Sequence, residues 1–529
     1  MKKIMKKGAM LLALTSMFTS VVGCAKGPGI ITDGEDTKNL HIYAALKGYG
    51  TEMFKELVDE FEKRNPGVNV HFKETPMEDQ IMNTFELGRT QNDYDIYFTC
   101  TGTMYSFLNN YSFKGYSKSL YDLTTIYQKT IPGETKSIED KMYPYFKNYF
   151  NTGTETNPSY HALSWATGMM GLCYNVDVIK DVFGEDYMYD LPRTTKELKE
   201  FAITLKGAGK VPFVFPGGSD YFTFSMLPAW WAQYQGMEVY ERFFEGKAED
   251  EKSGKYIYSA DIYKQKGRLE ALEALYDLIN KEDGLVLENA NDFDNNNFRT
   301  LQTRFVQKSQ NYAMYPNGDW LEQEADATAD SEIAMMKTPV ISSIVDRLEK
   351  VKTEEQLREV IRYVDGEDGA NVDGIPEADI EEVAKARNMI ATSHGLGHTC
   401  WVPAYTNAPT LVEKFLLFMY SNEGAKIYKE NCKGGFLPIT CDYSDITLSP
   451  FEQSVYDLSK KIVAVGTNSK SPIFNQGGAQ VWDLTNGKPD AMFSLAKSSK
   501  YYATPLEFFE RSFVSNSAWE NILIKAGIL

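Results

Sequence analysis

Two histidines four apart, His394 and His398 in SHGLGH, are the nearest thing in this 529-residue chain to a metal-ligand pair. Two intervening glycines disfavour a helix that would put both imidazoles on one face, and no acidic or thiol residue stands in frame to complete a ligand set. Asp292, Asp294 and Asn296 alternate as the first ligands of a calcium loop do, but Asn297 replaces the turn glycine and Thr303 stands where a bidentate glutamate is needed. No metal or cofactor is therefore expected, with calcium near Asp292 left open. Motifs for covalent catalysis are also missing: there is no G-x-S-x-G, no H-E-x-x-H, no phosphate loop, and no G-x-G-x-x-G after the first strand. A carboxylate pair for glycoside hydrolysis stays open, because the 73 acidic residues offer many pairs and their separation is a tertiary fact. What the composition favours is non-covalent binding. The 33 tyrosines and 30 phenylalanines raise aromatics to 13%, and such rings line sites for ligands with an apolar face and a hydroxyl edge.

The elements that must position such residues begin after an N-terminal leader. Lys2, Lys3, Lys6 and Lys7 precede an apolar run over 9–22, too short to cross about 30 Å of hydrocarbon as a helix. Val21-Val22-Gly23-Cys24 reads as a bacterial lipobox, so 1–23 is expected to be removed and Cys24 to carry lipid. The polar stretch 24–39 then reads as a flexible tether. The formal charge is −18, and loss of the leader lysines makes it more negative still. That balance argues against nucleic acid and anionic membrane surfaces, leaving the lipid as the sole membrane contact. Besides Cys24 there are Cys100, Cys173, Cys400, Cys432 and Cys441, an odd and sparse set that makes no disulfide framework. Cys432 and Cys441 are free thiols or one incidental bridge.

From residue 40 the pattern turns globular, and its length calls for two or three compact units. A strand at 40–46, an amphipathic helix at 51–64, an alternating strand at 68–74, a helix at 76–90 and a strand at 94–100 predict a parallel α/β sheet. Ligands on such sheets sit at the carboxyl ends of the strands, which singles out loops 47–50 and 99–103. Extended segments at 159–165 and 170–175 follow, then a helix capped by Thr194 or Thr195, a strand at 211–216 and an aromatic helix at 221–235. From 342 to 393 two charged helices joined by a Gly- and Asp-rich segment read as a surface insertion, its charge a solvated face.

KGYGTEMFKELVDEFEKRNPGVNVHF, YDIYF, LSWATGMMGLCYN, LPRTTKELKEF, MYPNGDWLEQE, MKTPVISS and VEKFLLFMYSNEGAKIY occur in that order. Together they resemble the family 1 extracellular solute-binding proteins of bacterial ABC importers, the carbohydrate-binding group that includes maltose-binding proteins. The resemblance implies a two-lobed α/β fold of the periplasmic-binding-protein type (type II), with a ligand cleft between lobes joined by hinge crossovers. Mapped onto this chain, lobe one takes 40–165 and 342–438, with the helical insertion at about 342–393, and lobe two takes 166–341 and 439–529. It also implies site residues. Lys47 and Tyr49 match a first loop whose lysine donates to sugar hydroxyls, although Leu46 replaces an acidic partner. Trp320 falls where the family places a stacking tryptophan, and Asp319 beside it becomes an acceptor for two vicinal hydroxyls. Trp165 at the crossover, Tyr221 and Trp482 are further stacking candidates. Thr101, in TCTGT, sits in a loop of small hydroxyl residues, which puts maltose itself in doubt.

The implied protein is not an enzyme. It is a monomeric, lipid-anchored binder on the outer face of the cytoplasmic membrane, delivering a carbohydrate, in all expectation an oligosaccharide, to the transmembrane subunits of an ABC permease. A surface glycoside hydrolase, and the same fold serving a peptide or a polyamine, are the alternatives.

Overall fold

The computed structural model describes residues 35–100, 116–214, 225–280, 282–287, 297–325, 329–393, 396–468, 470–479, 504–511 and 514–529. Cys24, Thr101, Tyr221, Asp292, Asp294, Asn296, His394 and Trp482 lie outside the described residues.

Two sheets organise the chain. The first holds β1 (Asn39–Ala44), β2 (Asn69–Glu74), β3 (Ile96–Thr99), β4 (Ala162–Ser164) and β12 (Thr399–Trp401), in the order β2-β1-β3-β12-β4. β1 is parallel to both β2 and β3, so the chain leaves β1 toward one side and returns on the other. The connections part company beside the carboxyl ends of β1 and β3, which opens a crevice there. Helix Glu52–Arg64 connects β1 to β2 and buries Met53, Phe54, Leu57, Val58 and Phe61 along one stripe. Each such side chain contributes roughly 1.5–3 kcal/mol. Glu52 in its first turn and Lys63 and Arg64 in its last complement the helix dipole.

The second sheet holds β5 (Met169–Asn175), β6 (Val211–Phe213), β9 (Tyr312–Gly318), β11 (Met389–Thr392) and β13 (Val463–Val465), in the order β13-β11-β5-β9-β6, with β10 (Ile333–Met335) also paired to β5. A separate hairpin joins β7 (Lys247–Glu249) to β8 (Tyr256–Tyr258). All seven residues of β5 and all seven of β9 are buried, as continuous apolar strands covered on both faces should be. Thr194 caps helix Thr195–Gly207 in a capping box with Glu197.

The chain passes between the sheets along two antiparallel strand pairs. β4 runs on through 165–168 into β5, and β11 and β12, consecutive strands in the chain, lie one in each sheet. β12 pairs β4 in the first sheet, and β11 pairs β5 in the second. This corrects one expectation. The 342–393 stretch was expected as an insertion in lobe one, but β11 is bonded to β5 and β13, and Gln233 Nε2 of helix Leu227–Gln235 donates to the Ala386 carbonyl at 3.0 Å. Helices Glu354–Asp365 and Glu377–Arg387 therefore belong with the second sheet. The tail of the second of these, read as helical through Ile390, is strand from Met389. The α/β layering about two sheets gives the two-lobed α/β architecture expected from the sequence.

Cys100, Cys173, Cys400, Cys432 and Cys441 are buried free thiols, so Cys432 and Cys441 are unbridged. Among the described residues no helix is long and apolar enough to cross a membrane.

Candidate functional site

The loop after β1 is the first wall of the crevice. Gly48 and Gly50 carry φ of +81° and +74°, and the Tyr49 amide donates back to the Leu46 carbonyl at 3.1 Å. This tight turn leaves Lys47 exposed and sends Tyr49 inward, where it is wholly buried. Gly48 is also bare for a second reason. A β-carbon there would lie 3.0 Å from Trp320 Cγ, so the indole, carried by the second sheet, lies directly on the first sheet's loop backbone. Trp320 is half-buried, its ring 6.0 Å from that of Tyr49 and 6.2 Å from that of His398.

Asp319 faces the other way. It follows β9 directly, and its amide donates to the Met169 carbonyl at 2.9 Å, continuing the β5–β9 pairing. Its side chain is fully buried, with Oδ1 accepting from Tyr49 Oη at 2.5 Å and Oδ2 accepting from Thr167 Oγ1 at 2.6 Å and the Met169 amide at 3.1 Å. Burial outweighs these three donors and pushes the carboxyl up to about 6, and burial beside Asp319 raises the Tyr49 phenol well above its ordinary value. The expected acceptor for two ligand hydroxyls thus has both oxygens engaged by protein donors in this conformation.

Trp165, expected as a stacking surface, is likewise covered. Its Nε1 donates to the Thr99 carbonyl at 2.8 Å, and its ring is edge-on to Tyr49, His398 and Phe54 at 5.3, 5.2 and 5.9 Å. Thr99 at the end of β3 also holds Trp401, whose Nε1 donates to Thr99 Oγ1 at 3.1 Å and Thr399 Oγ1 at 2.5 Å. Of the described candidates, Lys47 and Trp320 reach the surface, whereas Tyr49, Trp165 and Asp319 form the floor beneath them.

Of the other residues of this floor, Gly434 and Gly435 were not singled out from the sequence, whereas the 163–168 crossover was expected at the cleft. Thr167 and Gly168 lie in the first crossover, and a β-carbon on Gly168, at φ +59°, would meet His398 Nδ1 at 2.6 Å. His398, weighed as a metal ligand, is instead an aromatic wall 5.1 Å from the Tyr49 ring. Gly434 and Gly435 press against the Asp319 carbonyl and the Tyr49 ring. The adjacent glycines in that sequence were the available signal. No group of three or more metal-ligating side chains occurs among the described residues.

A groove of about 670 Å³ lies elsewhere, lined among others by Lys136, Lys141, Tyr143, Cys441 and Lys460. Its most buried cation, Lys141, is already held by Glu134 Oε2 and Asn422 Oδ1, each at 2.9 Å. The crevice between the sheets is the better site, because it brings the loop after β1, with Tyr49, against Trp320 of the second sheet.

The sequence model of the bacterial extracellular solute-binding protein family matches residues 47–426. No curated protein matches the chain. The chain belongs to the bacterial extracellular solute-binding protein family, whose members are binding proteins serving ABC importers. A small-molecule ligand and an ABC permease are accordingly its partners.

Proposed function

We propose that this solute-binding protein is the lipid-anchored, carbohydrate-binding subunit of its importer, taking an oligosaccharide between the two lobes. The observation that carries the reading is Trp320, half-buried and laid across Gly48 from the opposite sheet with the exposed Lys47 beside it. An indole face covers the C–H face of a pyranose, and an ammonium with loop amides satisfies hydroxyls that would otherwise lose water unpaired. Thr101, Tyr221 and Trp482 are proposed as further contacts from their sequence positions. Tyr49 and Trp165 support the site from below. Swinging of the lobes about the crossovers would enclose the sugar and present one form to the permease. Lipid at Cys24, with the tether that follows, would keep the binder near the permease and raise its effective concentration there.

Asp319, adjacent in sequence to Trp320, has both oxygens engaged, which gives the hydrolase alternative no support. Calorimetric titration with an oligosaccharide panel tests the proposal. Saturable binding of a member supports it, and a folded protein that binds none refutes it.

A further inference from the structure

Three chain passages surround the Tyr49 to Asp319 hydrogen bond. The first crossover supplies Thr167 and Met169 to the carboxylate. It is bonded in turn to the second crossover, with the Trp165 amide donating to the His398 carbonyl at 3.0 Å and the Ser393 amide to the Gly168 carbonyl at 2.8 Å. It is bonded to the third passage by the Thr167 amide, which donates to the Phe436 carbonyl at 3.0 Å. That third passage closes the other side, where β-carbons on Gly434 and Gly435 would lie 2.0 Å from the Asp319 carbonyl oxygen and 2.7 Å from Tyr49 Cδ1. One carboxylate therefore touches the first-sheet loop, the hinge strand and the end of a second-sheet strand, and the next residue is Trp320.

We propose that Asp319 is a positioning residue: by gathering Tyr49, Thr167 and Met169 about one carboxyl it fixes the angle between the lobes, seats Trp320 over Gly48, and makes that angle depend on pH through its own ionisation. The geometry of the seat deepens the sugar-binding reading, but the lobe angle does not rest on it. All three partners are donors, so they suit a carboxylate and leave a protonated carboxyl one donor too many. Burial acts in the opposite direction and prevails, so the clamped form holds the proton more tightly than a form in which water reaches the carboxyl. By linkage, acid favours the clamped form. The titratable groups facing it are Tyr49 from the first loop, Cys173 from β5, and Tyr428 and Cys432 from the helix Asn422–Glu430 and the turn after it. His398 packs on Tyr49, and the Lys429–Glu452 ion pair lies beyond Cys432. The four tyrosine and cysteine neighbours stay protonated across pH 5–7.5, since burial raises each of them.

The test needs no sugar. Small-angle scattering and tryptophan emission of the ligand-free protein are followed from pH 7.5 to 5, for the wild type, Asp319→Asn and Tyr49→Phe. The expected result is a smaller radius of gyration and an emission shift on acidification in the wild type, both lost in Asp319→Asn. In Tyr49→Phe, which removes a donor to the carboxylate, the step moves to higher pH by half a unit or more. A merely structural role would lower the melting temperature of the variants and leave the pH step in place. A wild type without a pH step, or an unchanged step in Asp319→Asn, overturns the proposal. If Asp319→Asn does not fold, an unmoved step in Tyr49→Phe overturns it. Failure of the oligosaccharide panel with the pH step present would remove the sugar reading and leave the hinge role standing.

Discussion

Tyr49 donates its hydroxyl to Asp319 Oδ1 across 2.5 Å, joining the first loop of one sheet to the strand end of the other at a point with no solvent exposure. A buried charge-assisted bond of this kind is strong only while both partners stay in register, because either group alone would be left desolvated. The lobes are thus tied at their pivot by a polar contact rather than by apolar packing alone.

The buried carboxyl gives stability a defined pH dependence. Asp319 is raised from 3.8 to about 6, so the folded protein binds this proton more tightly than the unfolded chain. Its cost is absent below about pH 4, grows as pH rises, and is complete above about pH 6, amounting to the order of 3 kcal/mol. Denaturant unfolding at pH 4 and 7 should show wild type losing stability relative to Asp319→Asn as pH rises. A difference of opposite sign would contradict the assignment.

Trp320→Ala removes the proposed stacking face without touching Asp319. Oligosaccharide affinity should fall at least tenfold, while circular dichroism and the unfolding midpoint stay close to wild type because the ring is only half-buried. Retained affinity would exclude Trp320 as an anchor.

Two glycines with similar backbone angles should respond differently to alanine. Gly67, at φ +89°, has nothing within 4 Å of an added β-carbon, and the change should cost about 1 kcal/mol from backbone strain. Gly434, at φ +80°, would bring its β-carbon to 2.0 Å from the Asp319 carbonyl oxygen, a backbone atom that cannot rotate aside. That substitution should cost more than about 3 kcal/mol. Equal unfolding free energies for the two variants would argue against the tight third passage.

Lys429 and Glu452 form a buried ion pair between helix Asn422–Glu430 and helix Pro450–Ser459, and Lys429 also donates to the Cys432 carbonyl at 2.6 Å. Lys429→Met strands the glutamate and should destabilise by about 3–5 kcal/mol. Adding Glu452→Gln should recover part of that loss, read as a non-additive double-mutant cycle in denaturant unfolding.

The β1–β2–β3 part of the first sheet was legible because β1, β2 and the helix between them are long enough to show their own periods, whereas β4 and β12, three residues each, add antiparallel pairings that the expected parallel sheet lacked. Met53, Phe54, Leu57, Val58 and Phe61 mark a helical stripe, and that stripe lies between two strand patterns. The sheet to which Met389–Thr392 belongs was not legible. Met389, Ile390 and Ala391, one residue after AKAR, continue a helical pattern, and their pairing with β5 and β13 decides otherwise. Lys47 and Trp320 could be named in advance as types suited to a site, whereas Gly434 and Gly435 were not. The depth of Trp165 and the direction of Asp319 could not, since both depend on how loops from distant parts of the chain close over them. One local clue was present: adjacent residues leaving a strand point to opposite sides, so Asp319 and Trp320 should not both face a ligand.

Isothermal titration of the protein against a panel of purified oligosaccharides decides whether the crevice between the two sheets binds an oligosaccharide. At least one member should bind saturably with one site per chain, and Trp320→Ala should lose that heat. A folded, monodisperse protein giving no saturable heat with any member would contradict oligosaccharide binding there.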